Sequence, residues 1–241
     1  MDNNLLNMEV GSIVAANFSS ADVFFKYGID FCCHGNISLK NACIDKGIDV
    51  NNVIAELNNK KESGIAKNNF SDWPLDLLID YVLKIHHRGI RKNGPEILEL
   101  IEKVESAHGH NHPELNEVML LFHQSLIDLD SHLQKEENVL FPFLYELFEA
   151  SEADDSIQQM HCGTVNNPIK VMRMEHEGEG DRYQRITEIT NNFAIPDDGC
   201  NTYNLMMIKL KNFVQNLYEH IHIENNIIFP MASQLERQCV R

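Results

Sequence analysis

The sequence is short of positive charge, of tryptophan and of long apolar runs. Lys and Arg total 20 against 36 Asp and Glu, a formal net charge of −16 over 241 residues. Nucleic-acid binding draws on a basic surface that displaces counterions from phosphates, so this balance argues against a general nucleic-acid binder and equally against an anionic membrane surface. No run of about 18 apolar residues occurs, so no transmembrane helix is expected. The opening MDNNLLNMEVGS has neither a basic region nor a long apolar one. A secretory signal is therefore not expected, and a cytoplasmic location is. Sustained strict alternation of apolar and polar residues, which a half-buried strand needs, is also missing. Hydrophobic residues nevertheless reach 43%, enough for a core and too many for a disordered chain.

Two residue types stand out among what is present. Six cysteines make an even count, but a chain of this length with no export signal does not need disulfides, and reduced thiols are expected. Histidine occurs 12 times against a single tryptophan. It is the commonest metal ligand, so its placement decides the reading.

Residues 1–60 read as a small helical N-terminal domain. ADVFFKYG, with Ser19 or Ser20 as a cap, stops at Gly28; SLKNACIDKG runs from Ser38 to Gly47; VNNVIAELNNKK follows. Between the first two lies the turn DFCCHGN, holding Cys32 and Cys33. Residues 61–73 are polar and read as a linker. Residues 74–241 carry four long stretches of helical period, near 74–105, 114–149, 166–194 and 203–235, separated by HGHNHP, SEADDSIQQMHCG and PDDGCN. The fold class is all-α: an antiparallel four-helix bundle behind a small helical domain.

The second and fourth long helices hold near copies of one pattern, H-x-x-x-E-[EN]-N-x-x-F-P. His132, Glu136 and Pro142 mark the first copy, and His220, Glu224 and Pro230 the second, 88 residues on (132 to 220). His86 and His176 stand on the first and third helices. Residues four apart share a helix face, so each His and Glu can reach one metal centre. The apolar stripes run into these residues. On the fourth helix Met206, Leu210, Phe213 and Leu217 lead to His220, Glu224 and Ile227. On the second, Leu115, Val118, Phe122 and Leu129 lead to His132, Glu136 and Val139, with Ser125 the one polar slot. Leu75, Ile79 and Val82 lead to His86 and Ile90, and Ile169 and Met172 lead to His176. A buried carboxylate without a partner costs several kcal/mol. A cation removes that cost. Six ligands suit a dinuclear site bridged by two carboxylates, and imidazole with carboxylate suits iron, zinc or manganese.

With YGIDFCCHGN at 27–36, KIHHRG around His86, DSHLQKEENVLFP at 130–142, RMEH at 173–176 and EHIHIENNIIFP at 219–230, the chain resembles the RIC (repair of iron centres) family, the YtfE/ScdA group. The resemblance implies a hemerythrin-like bundle with two iron ions per chain, held by His86, His132, Glu136, His176, His220 and Glu224. It implies that Glu136 and Glu224 bridge the irons together with an oxo or hydroxo group. It further implies repair of iron–sulfur clusters damaged by nitrosative or oxidative stress, by iron donation, with damaged iron–sulfur proteins as partners. The alternatives are a di-iron oxidoreductase that binds or reduces nitric oxide or dioxygen, and a hemerythrin-like gas sensor. The chain departs from the family pattern at His34, where glycine is expected, and in the HGHNH insert.

Other residues keep two readings. Cys32 and Cys33 are an active thiol pair, thiolate ligands or a subunit contact in a homodimer, or else small residues packed in a tight turn. Cys43, Cys162, Cys200 and Cys239 read as isolated thiols. His108, His110 and His112 form a solvated loop or a surface metal site. His87 and His222 fall off the inward stripe and read as surface groups or as groups behind the ligands. Glu175 and Asp128 are placed to hydrogen-bond a ligand or shuttle protons. Gly178 and Gly180 read as loosening the third helix beside His176. Glu105/His108 and Glu219/His222 match the ferritin-like Glu-x-x-His spacing, but the first ends in a loop and the second falls on the polar face with Lys209, Asn212 and Asn216.

Overall fold

The computed structural model describes residues 3–62 and 69–240, and among them no strand forms. Its regular elements are the helices α1 Asn3–Asn7, α2 Val10–Ala16, α3 Ala21–Tyr27, α4 Leu39–Lys46, α5 Val50–Glu62, α6 Leu75–Tyr81, α7 Arg88–His108, α8 Glu114–Lys135, α9 Phe141–Ala153, α10 Asn166–Ile189, α11 Asn201–Ile223 and α12 Phe229–Cys239, joined by turns and loops. Three π turns join helix to helix without a break. They are Val82–His87 between α6 and α7, Glu136–Leu140 between α8 and α9, and Glu224–Ile228 between α11 and α12. Each falls on or beside a His or Glu picked out by the sequence.

The chain forms two compact units, one built from 1–78, 147–159 and 219–241, the other from 79–146 and 160–218. The second unit contains the four-helix bundle of α7, α8, α10 and α11. Its interior is aromatic at mid-length: Phe122 meets Phe213 edge-on at 5.2 Å and Tyr183 at 6.4 Å between ring centroids. Gly94 lets α7 approach α8, since a Cβ there would stand 2.6 Å from Leu126 Cδ2. Arg185 with Glu117 and Lys209 with Glu96 tie neighbouring helices at the surface. The helix α10 runs unbroken through Gly178 and Gly180, so the loosening expected there is not seen.

The first unit joins the N-terminal helices to the C-terminal ones. Gly28 and Gly47 end α3 and α4 in the left-handed conformation, at φ 63° and 67°, as the sequence predicts. Ser38 caps α4 by accepting from the Asn41 N–H; the cap before α3 is different, with Asn17 accepting from the Ser19 N–H. The Cys32–Cys33 turn lies against α2: Gly11 N–H donates to the Gly35 carbonyl at 2.8 Å. A Cβ on Gly35 would meet the Phe31 carbonyl oxygen at 2.5 Å, so only glycine fits that approach. From the other side Asn225 donates to the Cys32 carbonyl at 3.0 Å and Asn226 to the Phe31 carbonyl at 3.3 Å. The C-terminal helices group with the N-terminal ones in this unit. Of the expected linker, 63–68 lies outside the described residues. Phe70 packs edge-on against Phe18 at 5.5 Å, and Ser71 donates to the Ala15 carbonyl.

Candidate metal centre

The bundle unit brings His87, His132, Glu136 and His176 to one buried place. The ligand atoms of His132, Glu136 and His176 lie within 4.8 Å of one another. His132 Nε2 stands 3.1 Å from His176 Nε2 and 3.3 Å from Glu136 Oε1. The other carboxylate oxygen, Oε2, faces His87 Nε2 at 3.4 Å. Glu136 thus presents one oxygen to each of two imidazoles. The two imidazole nitrogens stand 3.1 Å apart, close enough to share one hydrogen when no cation is bound and near enough for both to face one cation. The donor set is nitrogen and carboxylate oxygen without sulfur, which fits iron.

The far sides of the His132 and His87 rings are each fixed by a carboxylate. His132 Nδ1 bonds Glu175 Oε2 at 2.8 Å, and Glu175 is paired in turn with Lys135. His132 and then Lys135 hold the Glu175 carboxyl down to about 2. His87 Nδ1 bonds Glu137 Oε1 at 2.8 Å, and Arg91 grips both oxygens of Glu137. Burial pushes the Glu137 carboxyl up, but Arg91 and His87 outweigh it and keep it low. Such partners fix the tautomer and leave Nε2 to the ion. Asp128 serves no ligand; it pairs with Arg182 at 2.6 Å.

His86 behaves differently from the sequence expectation. It is buried, but its Nδ1 bonds Asn216 Oδ1 at 3.0 Å and Tyr81 packs edge-on against its ring. His87, expected off the stripe, is the histidine facing Glu136. The cause is the π turn Val82–His87. A π turn bonds i to i+5, so the position below Val82 is His87 rather than His86. The same slip moves burial from Val139, which is 39% exposed, to Leu140 in the turn after Glu136.

The first unit carries the second copy of the motif. His220 and Glu224 are fully buried, with His220 Nε2 2.8 Å from Glu224 Oε1. His222 is also buried, not on a polar face. It packs between Phe18 and Phe31, and burial lowers its pKa to about 4. The HGHNH loop is not free either. His108 Nε2 lies 3.3 Å from Cys200 Sγ, and His112 bridges Glu114 and Asp198. Among the described residues no cysteine is in a disulfide.

A helical bundle that gathers imidazoles and a shared carboxylate in its interior defines a cation-binding bundle of the hemerythrin type. The chain belongs to the family described as the hemerythrin HHE cation binding domain, which matches residues 78–232, and residues 6–61 match the ScdA N-terminal domain, a domain of unknown function (DUF542). Curated relatives span nearly the whole chain. A probable iron-sulfur cluster repair protein of Haemophilus influenzae is 32% identical over 86% of this chain and 88% of its own length. The iron-sulfur cluster repair protein ScdA of Staphylococcus haemolyticus is 30% identical over 93% and 97%. The YtfE protein of the same description from Yersinia pseudotuberculosis is 28% identical over 94% and 96%.

Proposed function

We propose that this chain is a di-iron protein that repairs damaged iron–sulfur clusters by giving up iron, and that it works in the cytoplasm. The observation that carries the metal reading is Glu136, whose two oxygens face His132 and His87. The repeat of H-x-x-x-E in sequence supports adding His220 and Glu224 as the matching pair. The proposed ligands are then His87, His132, His176 and His220, with Glu136 and Glu224 as the bridging carboxylates. His87 takes the place the sequence pattern gave to His86. Bound iron in such a site supplies ligand exchange and one-electron chemistry. The protein's part is to hold the His87 and His132 imidazoles with Nε2 toward the site through Glu137 and Glu175.

The relatives' names support clusters in damaged iron–sulfur proteins as the target, and the ligand set of imidazole and carboxylate, without thiolate, suits iron that must leave. Among the described residues no helix is long and apolar enough to cross a membrane. The test starts from anaerobically purified protein, measured for metal, beside a Glu136→Ala/Glu224→Ala variant. About two irons per chain, largely lost in the variant, supports the dinuclear reading. The loaded protein is then mixed with a cluster protein damaged by nitric oxide. Repair that consumes the bundle's iron supports donation. Retained iron with repeated turnover of nitric oxide would make the protein an oxidoreductase instead.

A further inference from the structure

The turn that holds Cys32 and Cys33 lies in the N-terminal unit and contributes nothing to the imidazole cluster. Asp30 builds it. Its Oδ1 accepts the N–H groups of Cys32 and Cys33, each at 2.9 Å, and its Oδ2 accepts the His34 N–H at 3.1 Å and pairs with His34 Nδ1 at 2.7 Å. In extended backbone two successive side chains point to opposite sides. Here the turn swings both sulfurs to one side, with Sγ atoms 3.6 Å apart and Asp30 Oδ1 3.3 Å from Cys32 Sγ. Ligand atoms of all three residues lie within 4.8 Å of one another.

That spacing matches a cation better than a disulfide. Two thiolates at about 2.3 Å from one tetrahedral ion sit about 3.8 Å apart. A disulfide needs sulfurs at about 2.05 Å and Cα atoms wider than adjacent residues usually allow. Cys32 is buried while Cys33 is partly open and His34 exposed, so an ion has an entry side.

We propose that Asp30, Cys32 and Cys33 form a second cation site, separate from the bundle ligands, for one thiophilic divalent ion of the iron(II) or zinc(II) kind. Binding forms two metal–thiolate bonds and releases the two thiol protons to water. His34 positions the carboxylate through its Nδ1. The site shares no ligand with the bundle centre, so it stands or falls independently of the di-iron reading.

The test is a cobalt(II) titration of the full, reduced chain without oxygen, in the parent and in Cys32→Ser/Cys33→Ser. The expected result is a sulfur-to-cobalt charge-transfer band that saturates at one equivalent in the parent and is missing from the double variant, whose helical circular dichroism is unchanged. No band in the parent, or the same band in the double variant, overturns the proposal. If the double variant fails to fold, the parent alone decides. Zinc(II) is expected to slow iodoacetamide labelling of Cys33, located by peptide mass spectrometry, at least tenfold. Labelling at an unchanged rate overturns the site.

Discussion

A histidine that donates Nε2 to a cation needs its Nδ1 hydrogen placed, and two carboxylates do this here. Glu175 holds His132, and Glu137 holds His87. Each carboxylate is itself held by a cation, Lys135 or Arg91, so the orientation is enforced from outside the cluster. The Nδ1 of His86 meets instead the neutral amide of Asn216. Replacing His87 by Ala should therefore strip iron from the anaerobically purified chain, whereas His86→Ala should leave the metal content near that of the parent. Equal losses would return His86 to the ligand set. Glu175→Gln keeps the shape and removes the charge. It should weaken iron retention about 10- to 100-fold, read as the rate at which a chelator removes the metal.

At the scale of elements, the π turns explain what periodicity alone misses. Stripe counting at 3.6 residues per turn finds His132, Glu136, His176, His220 and Glu224 in the interior, and all five are buried. It fails at His86 and His87 because the helix widens between Val82 and His87, and nothing in residue type announces that widening. Ser125, the polar slot in an apolar stripe, is likewise visible in sequence but not explained by it. Its hydroxyl donates to buried Glu179 at 2.6 Å and meets the Tyr183 hydroxyl at 2.7 Å. Ser125→Ala should cost about 1–3 kcal/mol in urea unfolding, since two buried polar groups lose a partner. Where the first and last inter-helix loops meet, Cys200 sits at the start of α11. The Tyr203 N–H, and then His108, lower its thiol to about 7. A depressed thiol adds stability above the ordinary thiol range and loses it as pH falls through the folded value. Iodoacetamide labelling of Cys200 should therefore show a midpoint near pH 7, and His108→Ala should move that midpoint up. An unmoved midpoint would leave the backbone N–H as the whole cause.

For the whole molecule, the all-α class, the two halves and the bundle were legible because long amphipathic helices repeat with turn residues between them. The grouping of the C-terminal helices with the N-terminal ones was not. It depends on Asn225 and Asn226 reaching the carbonyls of Phe31 and Cys32, contacts nearly 200 residues apart in the chain. The buried ligands also set a stability balance. Glu136 and Glu224 are fully enclosed, and an enclosed carboxylate is favourable only with positive charge beside it. Metal-free Glu136→Gln/Glu224→Gln should be more stable than the metal-free parent, by about 1–3 kcal/mol in thermal unfolding. With iron added the order should reverse. A metal-free variant less stable than the parent would mean that the imidazoles beside the carboxylates already compensate their burial.

The π turn at Val82–His87 makes the length of the chain a variable in its own right. It behaves as a helix carrying one residue more than an α-helical path needs, and the exposed Lys84 is the surplus. Deleting Lys84 would put Val82 and His87 four apart, on one face of an ordinary α-helix. The apolar seam would survive the loss while the local backbone tightened by a residue. The seam can thus be kept and the fit around the metal changed without altering any ligand, by removing a single link from the chain.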